Sequence, residues 1–284
     1  SRSGVTRLSS ARNDRTAVRR PGRWTRTVVL IPVLALMAVP LVCGAAYTFR
    51  AGYGRGLEGL RDLAANPYFF PGVAFTLAVA CASAVSSVCL GSIAAFLLRT
   101  RIRSRMPVAR VFVVLPYLAV SALVVQTFGD HGLLAHVTGA SPGIQYGAAG
   151  VTLVYLYKAS PFVFLSMAAV FHDIDRTYMD AARTLGAGSL QSFLHVFLPM
   201  AKRSLAGCFL LVFQFTLFSY EGFAFLGPTA PKGLGELLVL LYYSSDARYK
   251  EQAMALNGLA FAVSLLSAAL YVALILDKRR RKEA

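Results

Sequence analysis

Two ionisable residues stand inside stretches that are otherwise apolar. Lys158 lies in "YLYKASPF" and Glu221 in "LFSYEGFAFLG". A charge within a membrane segment costs about 2.5–3.5 kcal/mol on insertion scales, so each needs a reason to be there. A buried lysine can meet an anion. A carboxylate flanked by Tyr220 and Phe223 can meet a cation or a hydroxyl through charge and ring faces. Gln126, Gln214 and Tyr220 are weaker polar candidates in the same kind of segment. Each charge also has a structural reading: Lys158 snorkels to the interface, or pairs with Glu221. Lys158 fits the structural reading slightly better and Glu221 the functional one. Lys158 points to an anion and Glu221 to a cation, so together they leave the charge of any solute open.

Other chemistry finds little support. His172, Asp173, Asp175 and His195 fall in one region, as an enzyme site would require. The two aspartates, however, read as helix-start residues. The four histidines form no HExxH arrangement, and the four cysteines lie inside apolar runs without a CxxC partner, so no metal site or disulfide is expected. Neither "GAGSLQS" nor "GLGELL" satisfies GxxxxGK[ST], so ATP would have to be handled on another chain. No catalytic residue is expected.

The elements that carry these residues follow from composition. The chain has 284 residues, 56% of them hydrophobic, and a mean hydropathy of +0.58. Apolar runs long enough to cross a bilayer recur, without the strict alternation of a membrane barrel. The expected fold class is an all-α polytopic membrane protein. Six spans are placed at roughly 27–48, 71–98, 109–129, 146–172, 202–226 and 252–276. The first resembles a signal peptide in position, but its apolar part is too long and its basic lead too extended, so it is read as an anchor. The Arg-rich, acid-poor lead is also transit-peptide-like in composition, and a basic cytoplasmic tail explains it equally well.

The net charge of +16 could suggest nucleic acid. Its distribution argues instead for membrane topology. Of the 29 Lys and Arg residues, 22 lie in the tail 1–26, the loop 99–110, the segment around Arg176, Arg183, Lys202 and Arg203, and the tail 277–284; the opposite loops hold 6. That asymmetry predicts cytoplasmic N- and C-termini. Outside, residues 130–145 read as a turn-rich loop. Residues 227–251 open with an irregular "GPTAPKG", followed by "LGELLVLLYY", a short amphipathic or re-entrant helix.

Between the fourth and fifth spans lies a segment, 173–199, that reads as two short helices. Thr177 and Asp180 have capping-box spacing at the first. Tyr178, Ala181, Ala182 and Leu185 share one face of it, and the two alanines allow another surface to approach closely. Gly186 stands where a left-handed residue would end that helix. Ser189 is a cap for the second helix, Leu190, Phe193, Leu194 and Phe197 form its buried stripe, and Pro199 ends it. Such a loop either packs on its own membrane domain or docks on a cytoplasmic partner.

The segment resembles the EAA loop of the permease subunits of bacterial ATP-binding cassette importers. That pattern is Glu-Ala-Ala, three residues, Gly, nine residues, Ile, one residue, Leu-Pro. Here Asp180-Ala181-Ala182 is followed at the same spacing by Gly186, Val196 and Leu198-Pro199. Asp for Glu and Val for Ile are the departures. "SPFVFLSMAAVFHDID" is similar to the family's fourth span and "VLPYLAVSALVVQTFGDHGLL" to its third, so the resemblance covers most of 71–276, the expected five-span core.

The resemblance implies a coupling helix, with Asp180, Ala181, Ala182, Arg183, Gly186, Ala187, Leu198 and Pro199 meeting an ATPase. It implies two ATPase copies that hold ATP and magnesium, a second permease subunit (identical or paralogous), an extracytoplasmic solute-binding protein, and a place in a bacterial cytoplasmic membrane among lipid, with no nucleic acid. "TLGA", where many sugar permeases have Ile-Asp-Gly-Ala, looks more like permeases for polyamines, ferric iron, phosphonates or inorganic oxyanions, and within that set the opening of the fifth span and "FLGP" look closest to the spermidine/putrescine type; a phosphonate, ferric iron, oxyanion or sugar permease is the alternative. A secondary transporter or channel is the more distant alternative. It would need its own coupling-ion site and broken helices.

Overall fold

The computed structural model describes residues 32, 36, 38–39, 41–51, 58–98, 102–173, 178, 181–182 and 184–283. The basic tail 1–26 and most of the expected first span lie outside them. The chain divides into two units, residues 1–47 and 48–284. In the first, residues 41–47 are helical and mostly exposed.

The second unit is built of helices; no strand occurs among the described residues. In chain order they are α1 (Glu58–Ala65), α2 (Phe69–Leu97), α3 (Ile102–Val114), α4 (Tyr117–Phe128), α5 (Leu133–Thr138), α6 (Ala148–Asp173), α7 (Ser189–Leu217), α8 (Glu221–Leu226), α9 (Leu234–Tyr242) and α10 (Ala247–Glu283). Five helical stretches among the described residues are long and apolar enough to cross a membrane: Phe69–Leu97, Tyr117–Thr138, Ala148–Phe171, Ser189–Leu217 and Ala247–Ala273.

Two expected spans are differently built. The third, expected at roughly 109–129, breaks between α3 and α4. Pro116 has no amide hydrogen to continue the ladder and disfavours helical geometry at Leu115. Pro116 itself is extended, with φ −63° and ψ 145°. The fifth, expected at roughly 202–226, starts earlier and stops earlier. Pro199 does not end the preceding helix as its sequence position suggests. A π turn over Phe193–Phe197 precedes it, and the helix continues to Leu217. The wider turn relieves the clash a proline ring makes with the carbonyl one turn back.

Beyond Leu217 the chain opens at Phe218–Tyr220, then forms α8. Gly235 of α9 lies against this opening: a Cβ there would come within 2.4 Å of the Ser219 carbonyl oxygen. The "LGELLVLLYY" segment is helical, as expected, from Leu234 to Tyr242. Residues 130–145, read as turns, also contain α5, which ends on the left-handed Gly139.

Packing centres on α2 against α6. Gly91 lets them close: a Cβ there would meet the Val163 Cβ at 2.6 Å and the Ser160 carbonyl at 2.9 Å. One apolar cluster joins Phe96, Val163, Phe164, Met167, Phe197 and Val212. A second joins Leu63, Phe69, Leu237, Leu241 and Leu256. A third joins Val79, Val120, Val151, Tyr155 and Phe223. Buried amides link distant elements: the Asn66 amide donates to Gln252 at 2.9 Å.

Candidate functional site

The connecting segment is held at its base by four phenylalanine rings. Phe171 near the end of α6 stacks on Phe197 in the π turn, centroids 4.1 Å apart. Phe193 stacks on Phe197 at 5.6 Å, and Phe96 of α2 meets Phe193 edge-on at 5.1 Å. Phe197 is fully buried. The expected stripe is only half right. The phenylalanines face inward, whereas Leu190 is 70% exposed and Leu194 44%. The π turn accounts for this: its i→i+5 bond, Leu198 N–H to the Phe193 carbonyl, rotates residues away from an α-helical stripe.

Above this base most of the described residues of the segment are exposed. Ala181 and Ala182 are helical. Gly186 adopts φ +81°, and the Ala187 amide donates to the Ala182 carbonyl at 2.9 Å. That six-residue bond across a left-handed glycine is the Schellman termination. The expected stop at Gly186 is therefore present. Gly188, not Ser189, occupies the next cap position; its amide donates to the Gln191 Oε1 at 3.0 Å. Gln191 thereby supplies the half of a capping box that serves the N-cap amide, the half open to a glycine. Tyr178 is 57% exposed and Leu185 88%. Ala181 and Pro199 are exposed, Ala182, Ala187 and Leu198 half-buried. Asp180, Arg183 and the Thr177 cap lie outside the described residues. Of the residues weighed for enzyme chemistry, His195 has a described side chain; it is exposed, with Nδ1 at 3.2 Å from the Gln191 carbonyl.

The polar residues of the spans separate into different environments. Lys158 is 9% exposed, so it does not snorkel. Its ammonium donates to the Val113 carbonyl at 2.6 Å and to the Leu115 carbonyl. It also lies 5.1 Å from the centroid of the Tyr117 ring. Glu221 opens α8, half-buried, and accepts from the Ser219 hydroxyl at 3.1 Å. The structural pairing of Lys158 with Glu221 is therefore corrected: each has other partners. A row of rings runs through the space between their helices, Tyr117 to Tyr155 at 6.0 Å and Tyr155 to Phe223 at 6.0 Å.

Gln214 ties α7 to α10, its amide donating to Ser264 at 2.6 Å and accepting from Ser267 at 2.9 Å. Gln126 and Tyr220 are exposed on the described chain. Tyr117, Tyr155 and the carbonyls at the Pro116 break were missed from sequence. Pro116 was the available signal.

A bundle of membrane-length helices with a turn-terminated element between two of them defines a polytopic membrane protein. Residues 87–282 match the family described as "Binding-protein-dependent transport system inner membrane component", and the chain belongs to that family. It is 29% identical over 218 residues to a thiamine transport system permease protein of Brucella suis, covering 72% of this chain and 40% of the relative. The chain thus spans well under two thirds of that relative's length. It is 23% identical over 212 residues to a probable sulfate transport system permease protein of Helicosporidium, covering 73% of this chain and 77% of the relative. With a molybdenum transport system permease protein of Azotobacter vinelandii it shares 26% identity over 195 residues, 66% of this chain and 85% of the relative. Its fold matches a chain of a bacterial alginate ABC transporter crystallised with an alginate-bound periplasmic protein. The TM-score is 0.68 at 15% identity, over 87% of this chain and 92% of that one.

Proposed function

We propose that this chain is the transmembrane permease subunit of an ATP-driven importer and forms half of a translocation pathway for a small solute. The observation that carries the reading is the connecting segment. Its first helix ends in a defined glycine turn and is exposed on the described chain, with Leu185 at 88%, while its base is fixed by stacked rings. A loop that packs on its own domain would bury those side chains. A rigid, exposed element suits docking on a separate ATPase.

In this reading Ala181, Ala182, Gly186 and Ala187 meet the ATPase, with Asp180 and Arg183 beside them and Leu198 and Pro199 leading into the span. Two ATPase copies supply ATP and magnesium, so this subunit is not itself an enzyme. A second permease completes the pathway, and an extracytoplasmic protein delivers the solute. The termini and the connecting segment face the cytoplasm. Glu221, with Tyr220 and Gln126, remains the proposed pathway set. The relatives' names give thiamine, sulfate and molybdenum. They lend no support to a polyamine-like solute.

The test is a crosslink. A cysteine at Ala187, in a background without the native cysteines, is expected to form a mixed disulfide with a co-expressed candidate ATPase bearing a surface cysteine. The yield should change with ATP. No crosslink, with the ATPase present and folded, overturns the docking role and raises the secondary-transporter alternative.

A further inference from the structure

The break between α3 and α4 leaves backbone carbonyls without helical partners. Pro116 offers no N–H to Phe112, and the turn of the chain at Leu115 takes the Val113 carbonyl out of the ladder. Groups of this kind at membrane depth must be satisfied from within the protein. Lys158 stands near the middle of the membrane-length stretch Ala148–Phe171, at the level of this break. Its ammonium donates to the Val113 carbonyl at 2.6 Å and to the Leu115 carbonyl, and it lies 5.1 Å from the centre of the Tyr117 ring. An ammonium has three donors. Two are taken by carbonyls, and the ring lies against the cation. Its charge meets the carbonyl-rich C-terminal end of α3, where a cation is favoured.

We propose that Lys158 is a positioning residue: it seals the break in the third span and ties α3 to α6, and it does not contact solute. The tie is extended by Phe112 of α3 and Tyr157 of α6, whose rings meet edge-on at 5.7 Å. From Lys158, α6 continues to Asp173, a length of about 22 Å at 1.5 Å per residue, and there enters the connecting segment. A movement of that segment that tilts α6 therefore carries α3 with it. The bend is taken up at Leu115–Pro116, where the ladder is already open, and α4 keeps its own packing. This consequence rests on the importer reading; the seal itself does not.

The seal is tested on the full chain in lipid nanodiscs, with the native cysteines replaced by alanine and cysteines placed at Phe112 and Tyr157. A short bis-methanethiosulfonate reagent, whose span suits the edge-on contact of the two native rings, should crosslink the pair with lysine at 158 and with Lys158→Arg. Lys158→Met should cut the crosslink yield about fivefold or more, because the carbonyls lose their donors. Adding Pro116→Ala to Lys158→Met restores an amide donor and helical continuity, and should restore the yield. If Lys158→Met alone does not accumulate, recovery of the double variant is the readout. An undiminished yield in Lys158→Met, or no recovery with Pro116→Ala, overturns the seal.

The shared movement is tested in the complex with the ATPase. If α3 and α6 move together, crosslinking the 112–157 pair with that reagent leaves ATP hydrolysis within about twofold of the uncrosslinked complex. A tenfold or greater loss, reversed by reductant, overturns it. A complex that does not assemble at all speaks against the importer reading, while the crosslink readouts on the chain alone still decide the seal.

Discussion

Phe171 and Phe197 stack almost face to face, with centroids 4.1 Å apart and planes 6° from parallel. One ring lies near the end of the helix that enters the connecting segment, the other in the π turn that leaves it. The stack clamps both arms of the segment at one point, so the exposed turn around Gly186 stands on a fixed base.

Phe197→Ala removes a fully buried ring that also meets Phe96 and Phe193. The expected loss is about 3 kcal/mol. It should appear as a lowered unfolding midpoint in detergent or nanodiscs, with Phe197→Leu losing less. A midpoint no lower than that of the exposed Leu190→Ala would show that the clamp carries no weight.

Gly186→Ala has open space around its new methyl, so its cost is purely conformational. An L-residue at φ +81° is disfavoured by roughly 1 kcal/mol. The Ala187 amide, which closes the turn on Ala182, should exchange with solvent about fivefold faster. The global midpoint should hold. Unaltered exchange at Ala187 would mean that the turn does not depend on glycine.

Gly91→Val tests the closest approach of the two central helices. Its side chain would run into Val163 and the Ser160 backbone, so overpacking should cost about 1–3 kcal/mol or more. Gly147→Ala meets nothing within 4 Å and serves as the control. Equal thermal stability for the two variants would contradict the packing of α2 on α6.

Gln214→Leu removes both the Ser264 and Ser267 bonds. Polar bonds between membrane helices average about 0.6 kcal/mol, so a loss near 1 kcal/mol is expected. A double-mutant cycle with Ser267→Ala should show coupling. Strict additivity would leave Gln214 free for the pathway role first considered for it.

Much of the architecture was legible because it depends on local properties. Span length is a count of apolar residues, and it placed the second, fourth and sixth expected spans to within about five residues; the third is broken at Pro116 and the fifth is displaced toward the N-terminus. The stop at Gly186 follows from the freedom of one glycine at one φ. The offsets from Asp180 to Pro199 carried the family resemblance, which the match over residues 87–282 then bore out. What failed were inferences that needed a second element. Pro116 and Pro199 are both prolines in apolar runs, yet one breaks its span and the other is absorbed by a π turn. Leu190 and Phe193 are both apolar, yet the ring cluster draws only the phenylalanine inward. Lys158 could not be assigned from its neighbours because its acceptors lie 43 and 45 residues earlier in the chain. A charge in an apolar run is evident from composition. What neutralises it depends on which backbone groups the packed helices leave unpaired beside it, and only the tertiary structure decides that.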